Sequence, residues 1–366
     1  MTEQEAYWVW LSSIDGMGSV TFHKILQVFE DAKTACENYK DIPRRVKLRD
    51  RLKENLAAAA SRAYWDSLFG SIEKNRIKVL TRLSSGYPRI LEDVDNPPPV
   101  LYFKGTMPQM EQSCGMVGSR RPTKKGYTFA RGLAQELAAQ DVVIVSGMAR
   151  GVDTACHEGA LAAGGKTVAV LGCGVDVIYP PENVKLYSEI IEHGAVVSEF
   201  KPGTQPTTTN FPQRNRIIAG LSRVLIAGEG GEKSGARITV DFALAKGKDI
   251  YAMQCDLKSS VAKLPLYLVE NGAPMVHSAR EIMRDQGWKI TPRQDGAHSE
   301  GEKQLGSRMD ADQSRIYALL MRESMTADEI AKELEIGIKD LNMLLTVMEL
   351  DGLVSACAGG LYEINK

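Results

Sequence analysis

The sequence has few cysteines, no long apolar run and almost no net charge, and each shortage excludes a class of protein. Its six cysteines among 366 residues are scattered, with no CxxC pair and no histidine at metal-ligand spacing. This pattern argues against a disulfide framework and against a zinc site. No apolar run is long enough to cross a membrane, and the N-terminal residues lack the basic start and apolar core of a signal peptide. We therefore expect a cytoplasmic protein that holds no metal and does not contact a membrane.

The net charge of −1 points to no partner, but the charge is distributed unevenly along the chain. Residues 1–75 are neutral, residues 76–286 carry +4, residues 287–308 carry +1 and residues 309–366 carry −6. A polyanion is attracted to the basic middle and repelled by the acidic end. We therefore do not expect these two parts to share a polyanionic partner.

Residues 1–75 predict a small helical domain of helix-hairpin-helix or SAM-like type. Gly16-Met17-Gly18 separates two apolar stretches, as in a helical hairpin. Such a turn either binds a phosphate through its N–H groups or uses glycine simply to reach a positive φ, and both interpretations remain open. Residues 40–53 add seven basic and two acidic side chains, a composition most often found on a solvated helix face.

The C-terminal part of the chain divides into two further segments. Residues 287–308 mix glycine, serine, proline and charge, which is typical of a flexible linker. Residues 309–366 predict three helices and a two-stranded wing, with a capping box formed by Thr326 and Glu329. This outline is a winged helix. Because of its −6 charge, we expect it to contact a protein partner rather than DNA.

Residues 76–286 alternate short apolar runs, rich in β-branched residues, with stretches of helical periodicity. Repeated βα units of this kind predict an α/β domain with a Rossmann-type, doubly wound parallel sheet. The predicted strands are Cys114–Val117, Val142–Val145, Thr167–Leu171, Ala195–Val197, Val224–Ala227 and Asp249–Met253, and the predicted helices are Tyr127–Ala139, Asp153–Ala163, Val184–His193, Gln213–Leu221 and Ala236–Lys246.

Four of the predicted strands run directly into glycine or into a small residue followed by glycine, at Gly118, Gly147, Gly172 and Gly228. Ligands of such sheets bind at the carboxyl ends of the strands. Glycine there allows a close approach of the backbone to a ligand, and the helix N-termini that follow attract anions. The sequence therefore predicts a site for a phosphate-rich ligand at this edge of the sheet.

The common nucleotide-binding motifs are missing from the sequence. The dinucleotide fingerprint at Gly172 has Val177 in place of its third glycine, and a P-loop ending at Lys233 has Ala227 and Glu232 where it requires glycines. We therefore expect no cofactor, no catalytic residue and no hydrolysis of nucleoside triphosphates. A nucleotide-processing enzyme that uses the same pocket remains the alternative function.

Aromatic and basic residues interleave in the loops at this edge, which favours single-stranded nucleic acid. Bases stack on rings such as Tyr179 and Phe211, while cations such as Lys185 follow the phosphates. Arg214 and Arg216 point about 200° apart on a helix, so at most one of them is expected to meet a ligand. The other is expected to brace the sheet.

Taken in order, the motifs of the middle segment resemble the DprA/Smf family of DNA-processing proteins. They are GSRRPT (118–123), SGMARGVDTACHEGAL (146–161), GKTVAVLGCGVDVIYPPEN (165–183), SEFKPGT (198–204), NFPQRNRIIAGLS (210–222) and GEKSGARITVDFAL (231–244). Residues 253–269 depart from the family pattern. The resemblance implies a cytosolic homodimer that binds single-stranded DNA and loads the recombinase RecA onto it during natural transformation.

The resemblance also implies functional residues. The family's Gly-Ser-Arg loop corresponds to residues 118–120, its DNA-binding lysine to Lys185 and its Lys-Ser-Gly loop to residues 233–235. The complete set of predicted nucleic-acid-binding residues is Gly118, Ser119, Arg120, Gly147, Lys185, Asn210, Arg214, Arg216, Lys233, Ser234 and Gly235.

Overall fold

The computed structural model describes residues 1–231, 234–255, 259–290, 311–321, 325–350, 353–356 and 361–364. The chain separates into two compact units, Met1–Ile290 and Thr291–Lys366. Lys233, most of the predicted linker and Cys357 lie outside the described residues. Cys36, Cys114, Cys156 and Cys173 are free thiols.

Six helices precede the sheet in the first unit. Thr2 caps the first helix through a capping box with Glu5, and Gly16 in the following turn takes a φ of +89°. The hairpin predicted around Gly16–Gly18 is therefore present. A core that includes Trp10 and Phe22 packs these helices against Tyr102 of the sheet. The helices are α1 (Glu3–Ser13), α2 (Ser19–Phe29), α3 (Ala32–Glu37), α4 (Ile42–Arg45), α5 (Asp50–Ala59) and α6 (Arg62–Lys74).

Nine strands form a single sheet in the order β1-β2-β6-β5-β4-β3-β7-β8-β9. The pairs from β6 through β9 are all parallel, whereas β1 and β2 add an antiparallel edge beside β6. The strands are β1 (Lys78–Thr81), β2 (Val100–Gly105), β3 (Ser113–Val117), β4 (Val143–Ser146), β5 (Thr167–Val170), β6 (Ala195–Ser198), β7 (Val224–Ala227), β8 (Ile250–Met253) and β9 (Met275–Val276).

Helices cover both faces of this sheet, because the parallel strands are apolar on both sides. On one face pack α10 (Asn210–Leu221), α11 (Gly235–Leu244) and α12 (Lys263–Glu270). On the other pack α7 (Lys124–Ala138), α8 (Val152–Ala162), α9 (Val184–His193) and α13 (Ala279–Asp285). The chain winds outward from β3 to β6 and then returns to place β7 beside β3. The carboxyl ends of β3 and β7 therefore flank the point at which the winding direction reverses.

The predicted doubly wound sheet is confirmed, and all six predicted strands and five predicted helices of the middle segment are present within a few residues. The prediction missed β1, β2 and β9. Antiparallel strands need no crossover helix between them, so β1 and β2 produce none of the βα alternation from which the other strands were predicted. The two-residue β9 is too short to show any periodicity.

The second unit is a winged helix, as predicted. Its core holds Ile316, Ile330, Leu341, Leu345 and Met348. Thr326 and Glu329 form the predicted capping box. A short strand that was not predicted, β10, pairs with the wing. The elements are α14 (Ala311–Leu320), β10 (Met325–Thr326), α15 (Ala327–Leu334), α16 (Ile338–Leu350), β11 (Val354–Ala356) and β12 (Leu361–Ile364).

Within the described residues, no helix is both long enough and apolar enough to span a membrane. The same residues contain no cluster of three or more histidine, cysteine, aspartate or glutamate side chains arranged to hold a metal ion.

Candidate nucleic-acid interface

A continuous cleft lies at the carboxyl ends of β3, β4, β5 and β7, where the sheet's winding reverses. This is the position at which open α/β sheets bind their ligands. Seven of the predicted binding residues line it, and an eighth, Asn210, begins α10 beside it, with its backbone 3.5 Å from a Cβ built on the cleft residue Gly172. The seven are Gly118, Ser119, Arg120, Gly147, Arg214, Ser234 and Gly235.

The loop after β3 carries a group of exposed cations. Arg120, Arg121, Lys124 and Lys125 are all exposed, and no carboxylate of the described residues forms a salt bridge with any of them. The two lysines occupy the first turn of α7, where the helix dipole disfavours positive charge. We call these four residues the cation rim. The four positive charges attract an anion to this part of the surface.

Two aromatic rings lie beside Arg120, one of the four residues of the cation rim. The rings of Tyr179 and Phe211 have their centroids 5.4 Å apart, and both line the cleft. The guanidinium carbon of Arg120 lies 5.5 Å from the centroid of Phe211, and that of Arg214 lies 5.9 Å from it. The cleft therefore places aromatic surface and an unpaired cation next to each other, which is the combination that single strands need.

Arg214 is a buried brace, with 4% of its surface exposed. Its guanidinium donates to the carbonyl oxygen of Gly147 at 2.8 Å and to that of Val170, which joins α10 to β4 and β5. Burial lowers the pKa of this guanidinium to about 10, and the nearby carboxylate of Asp153 acts in the opposite direction. Asp153 accepts from the backbone N–H groups of Gly147 and Ala149, at 3.2 and 3.3 Å, and burial raises the pKa of its carboxyl.

The glycines at the strand ends make room for the protein's own side chains. A Cβ built on Gly118 would lie 2.6 Å from Val152, one on Gly147 would lie 2.7 Å from the Arg214 guanidinium, and one on Gly172 would lie 2.8 Å from the Phe211 ring. A Cβ on Gly228 would lie 2.8 Å from the sulfur of Met253. Close approach is required at all four positions, whereas the sequence predicted the close approach of a ligand. The groups that approach are internal, however, so these glycines alone do not identify a ligand.

A carboxylate occupies the N-terminus of α7. Glu229, which follows β7, is 5% exposed. Its two carboxylate oxygens accept from the backbone N and the side-chain hydroxyl of Thr123, each at 2.6 Å. Thr123 is the N-cap of α7. The first βα turn, where dinucleotide-binding sheets hold a pyrophosphate, is therefore filled by an internal anion in this chain.

Other predicted residues differ in their relation to the cleft. Ser234 caps α11 by accepting from the backbone N of Arg237 at 3.4 Å, and Gly235 begins that helix. Arg216 does not line the cleft, and it forms an ion pair with Glu199 in which both N–O distances are 2.7 Å. Lys185 lies on α9 in a neighbouring concavity, 3.5 Å from Glu189 and 91% exposed.

Comparison with family models and with known sequences points to one family. A family model described as "DNA recombination-mediator protein A" matches residues 78–287, and a DprA winged-helix model matches residues 300–360. The chain belongs to the DprA/Smf family. Protein Smf of Synechocystis is 30% identical over 405 aligned positions, which cover 98% of both chains. The DNA processing protein DprA of Streptococcus pneumoniae is 38% identical over 204 positions, or 56% of this chain and 72% of that one.

Solved DprA structures are similar to this fold. The structure of DNA processing protein A from Streptococcus pneumoniae aligns with a TM-score of 0.66 at 30% identity, covering 80% of this chain and 99% of that one. A structure of DNA processing protein A from Helicobacter pylori, described as giving insight into its single-stranded DNA binding mode, aligns with a TM-score of 0.53 at 28% identity. It covers 58% of this chain and 98% of its own.

The sequence prediction missed several residues of the cleft. Arg150 lines the cleft and forms an ion pair with Glu182. Its Nη2 donates to Oε2 of Glu182 at 3.0 Å. Arg121, Lys124 and Lys125 complete the cation rim. Their signal was visible in the sequence, since RRPTKK brings four cations together without an acidic residue. The role of Glu229 had no such signal, because its contact with Thr123 joins positions 106 residues apart.

Proposed function

We propose that this protein binds single-stranded DNA in the cleft at the carboxyl ends of β3, β4, β5 and β7, without catalysing a reaction on it. The observation that carries this proposal is the exposed, unpaired Arg120 of the cation rim beside the ring of Phe211, which lies next to the ring of Tyr179. Phosphates neutralise the rim, and bases stack on the rings. Both interactions tolerate any base, so we expect little sequence preference and strong salt dependence.

The family relationship supports the same proposal. The Helicobacter pylori DprA protein, whose fold this chain shares, is described as having a single-stranded DNA binding mode. In this chain Gly118, Ser119 and Arg120 lie in the cleft, which is where the family resemblance predicts a strand-binding loop. A nucleotide-processing enzyme is less well supported, because the Glu229 carboxylate occupies the N-terminus of α7 that a pyrophosphate would use.

The binding proposal is tested most directly at Arg120. In an Arg120→Ala protein, single-strand affinity should fall by about 1–3 kcal/mol, because one phosphate contact and one stacking partner are lost. The slope of log K against log salt should fall by about 0.7, the single-strand value for one contact. Fluorescence anisotropy with a labelled oligonucleotide measures both quantities. Arg280→Ala is the matched control, since it removes an exposed arginine of α13 that does not line the cleft.

The outcomes at Arg120 are distinguishable. Unchanged affinity and slope in a folded Arg120→Ala protein would remove this residue from the binding site. An equal loss in the Arg280→Ala control would mean that the effect depends on net charge rather than on the cleft. Turnover of nucleoside triphosphates, NAD or nucleoside monophosphates by the wild-type protein would favour the enzymatic alternative.

We further propose that the protein acts in the cytoplasm as a homodimer that loads RecA onto bound strands. The sequence has no ATP-binding P-loop, so such a loader can hold and present a strand but cannot move it by hydrolysis. Two cleft-bearing subunits would raise the local concentration of bound strand. The test is the lag of RecA ATPase on DNA coated with single-strand-binding protein, with and without this chain. An unchanged lag with strand binding intact would end the loading proposal and leave the binding proposal standing.

A further inference from the structure

Glu229 holds the strand-binding loop at two points. Its backbone oxygen accepts from the N–H of Ser119 at 2.5 Å, and its carboxylate accepts twice from Thr123 at 2.6 Å. The carbonyl oxygen of Ser119 in turn accepts from the N–H of Val152, at 3.0 Å. Arg120 and Arg121 lie between the two points that Glu229 holds, exposed and without a carboxylate partner in the described part of the chain. Glu229 thus fixes both ends of the segment that carries half of the cation rim.

The carboxylate is closely enclosed at this position. A Cβ built on Gly126, in the first turn of α7, would lie 2.6 Å from its carboxyl carbon. Thr123 uses its hydroxyl both to donate to Glu229 and to accept from the N–H of Gly126, at 3.0 Å. The arrangement places a buried negative charge at a helix N-terminus that also carries Lys124 and Lys125. This is the electrostatic role that a ligand phosphate has in nucleotide-binding sheets.

We propose that Glu229 is a positioning residue for strand binding. Its carboxylate replaces a ligand phosphate at the N-terminus of α7 and holds the 119–123 loop so that Arg120 and Arg121 face the DNA. This inference rests on the proposed function, because it requires the cation rim to contact the strand. The carboxylate itself does not contact DNA.

The charge of Glu229 makes the proposal easy to distinguish from a simple electrostatic effect. Removing a negative charge beside a polyanion site should strengthen binding through long-range electrostatics. Removing a residue that positions the cations should weaken it. The two effects have opposite signs, so the direction of the change decides between them.

The experiment compares Glu229→Ala, Glu229→Gln and Glu182→Ala in the full chain, by fluorescence anisotropy with a labelled single strand. Glu182→Ala is the matched control, because it removes a carboxylate that pairs with the cleft residue Arg150 and forms no hydrogen bond or salt bridge with the described residues 119–123. We expect Glu182→Ala to bind somewhat more tightly than the wild type. We expect Glu229→Ala to bind at least about fivefold more weakly, which is the lower end of the loss expected for Arg120→Ala. Glu229→Gln keeps one oxygen acceptor for Thr123 and should recover part of that loss.

A merely structural role is excluded by measuring each variant's circular dichroism and salt slope and by combining Glu229→Ala with Arg120→Ala. If Glu229 acts through the rim, the folded single variant should have a lower salt slope, and the double variant should bind little worse than Arg120→Ala alone. Additive losses, or affinity equal to or above the wild type in Glu229→Ala, would overturn the inference. Absence of strand binding by the wild type would instead overturn the proposed function.

Discussion

Replacing Arg214 with methionine should destabilise the protein strongly, although this arginine lies beside the same aromatic ring as Arg120. Arg214 is buried and donates to two backbone carbonyls, whereas Arg120 is exposed. Removing one of two interacting buried charges costs about 3–5 kcal/mol, because the other charge is left uncompensated. Here the other charge is the carboxylate of Asp153, which forms no salt bridge with Arg214 but interacts with it electrostatically. Burial raises the pKa of this carboxyl, and the positive charge of Arg214 lowers it. For a unit of this size the melting temperature should fall by roughly 6–10 °C.

The loss should also depend on pH in a defined direction. Without Arg214, the pKa of Asp153 in the folded protein should rise further above its value in the unfolded chain. A carboxyl with a raised folded pKa destabilises the fold increasingly as the pH rises above the unfolded value, near about 4. The difference in stability between the wild type and Arg214→Met should therefore be largest at neutral pH and shrink as the pH falls toward 4. Urea denaturation at a series of pH values measures it.

A second substitution separates the charge from the packing. Asp153→Asn keeps an oxygen that can accept from Gly147 and Ala149 but removes the negative charge. The double variant Arg214→Met/Asp153→Asn should therefore be more stable than Arg214→Met alone, by about 0.5–3 kcal/mol. Arg120→Met is the matched control and should change stability by less than about 0.5 kcal/mol. An Arg214→Met protein with wild-type stability and greatly weakened strand binding would refute the reasoning, since Arg214 would then be a ligand contact rather than a brace.

Two further predictions concern residues outside the cleft. Lys185→Ala should weaken single-strand binding less than Arg120→Ala does, because Lys185 lies in a neighbouring concavity and pairs with Glu189. A loss of affinity as large as that of Arg120→Ala would instead show that the strand passes across α9. A fragment that ends at Ile290 should keep nearly all single-strand affinity and bind slightly better at low salt, because it lacks the segment that carries −6. A tenfold loss of affinity in that fragment would show that the winged helix contacts DNA.

Much of the fold could be predicted from the sequence because the parallel strands and their helices repeat a local pattern. Alternation of apolar runs with helical periodicity predicted β3 through β8 and the helices between them. The antiparallel pair β1 and β2 follows a different rule, since its position beside β6 is decided by tertiary pairing between Tyr102 and Ser198 and their neighbours. The capping box at Thr326 was predictable for the opposite reason, because all its contacts lie within three residues.

The roles of the glycines and arginines at the candidate site could not be predicted from the sequence. The glycines at the strand ends were predicted to allow the approach of a ligand, but the structure shows side chains there, such as Arg214 at Gly147 and Phe211 at Gly172. Which group approaches depends on residues far away in the sequence. The same holds for the arginines. Arg120, Arg214 and Arg216 are the same residue type in the sequence. The structure distinguishes them by their hydrogen-bond and ion-pair partners.

Those partners decide what each arginine is able to do. Arg214 uses its donors on buried carbonyls, Arg216 uses its donors on Glu199, and Arg120 retains its charge without a carboxylate partner in the described residues. A guanidinium already bonded to the protein gains less from a phosphate, because an existing bond must be broken first. An exposed cation without a carboxylate partner is therefore a better guide to the proposed strand-binding surface than the number of basic residues near the cleft. In the described part of this chain, Arg120 is such a cation, and it lies on the loop that Glu229 holds.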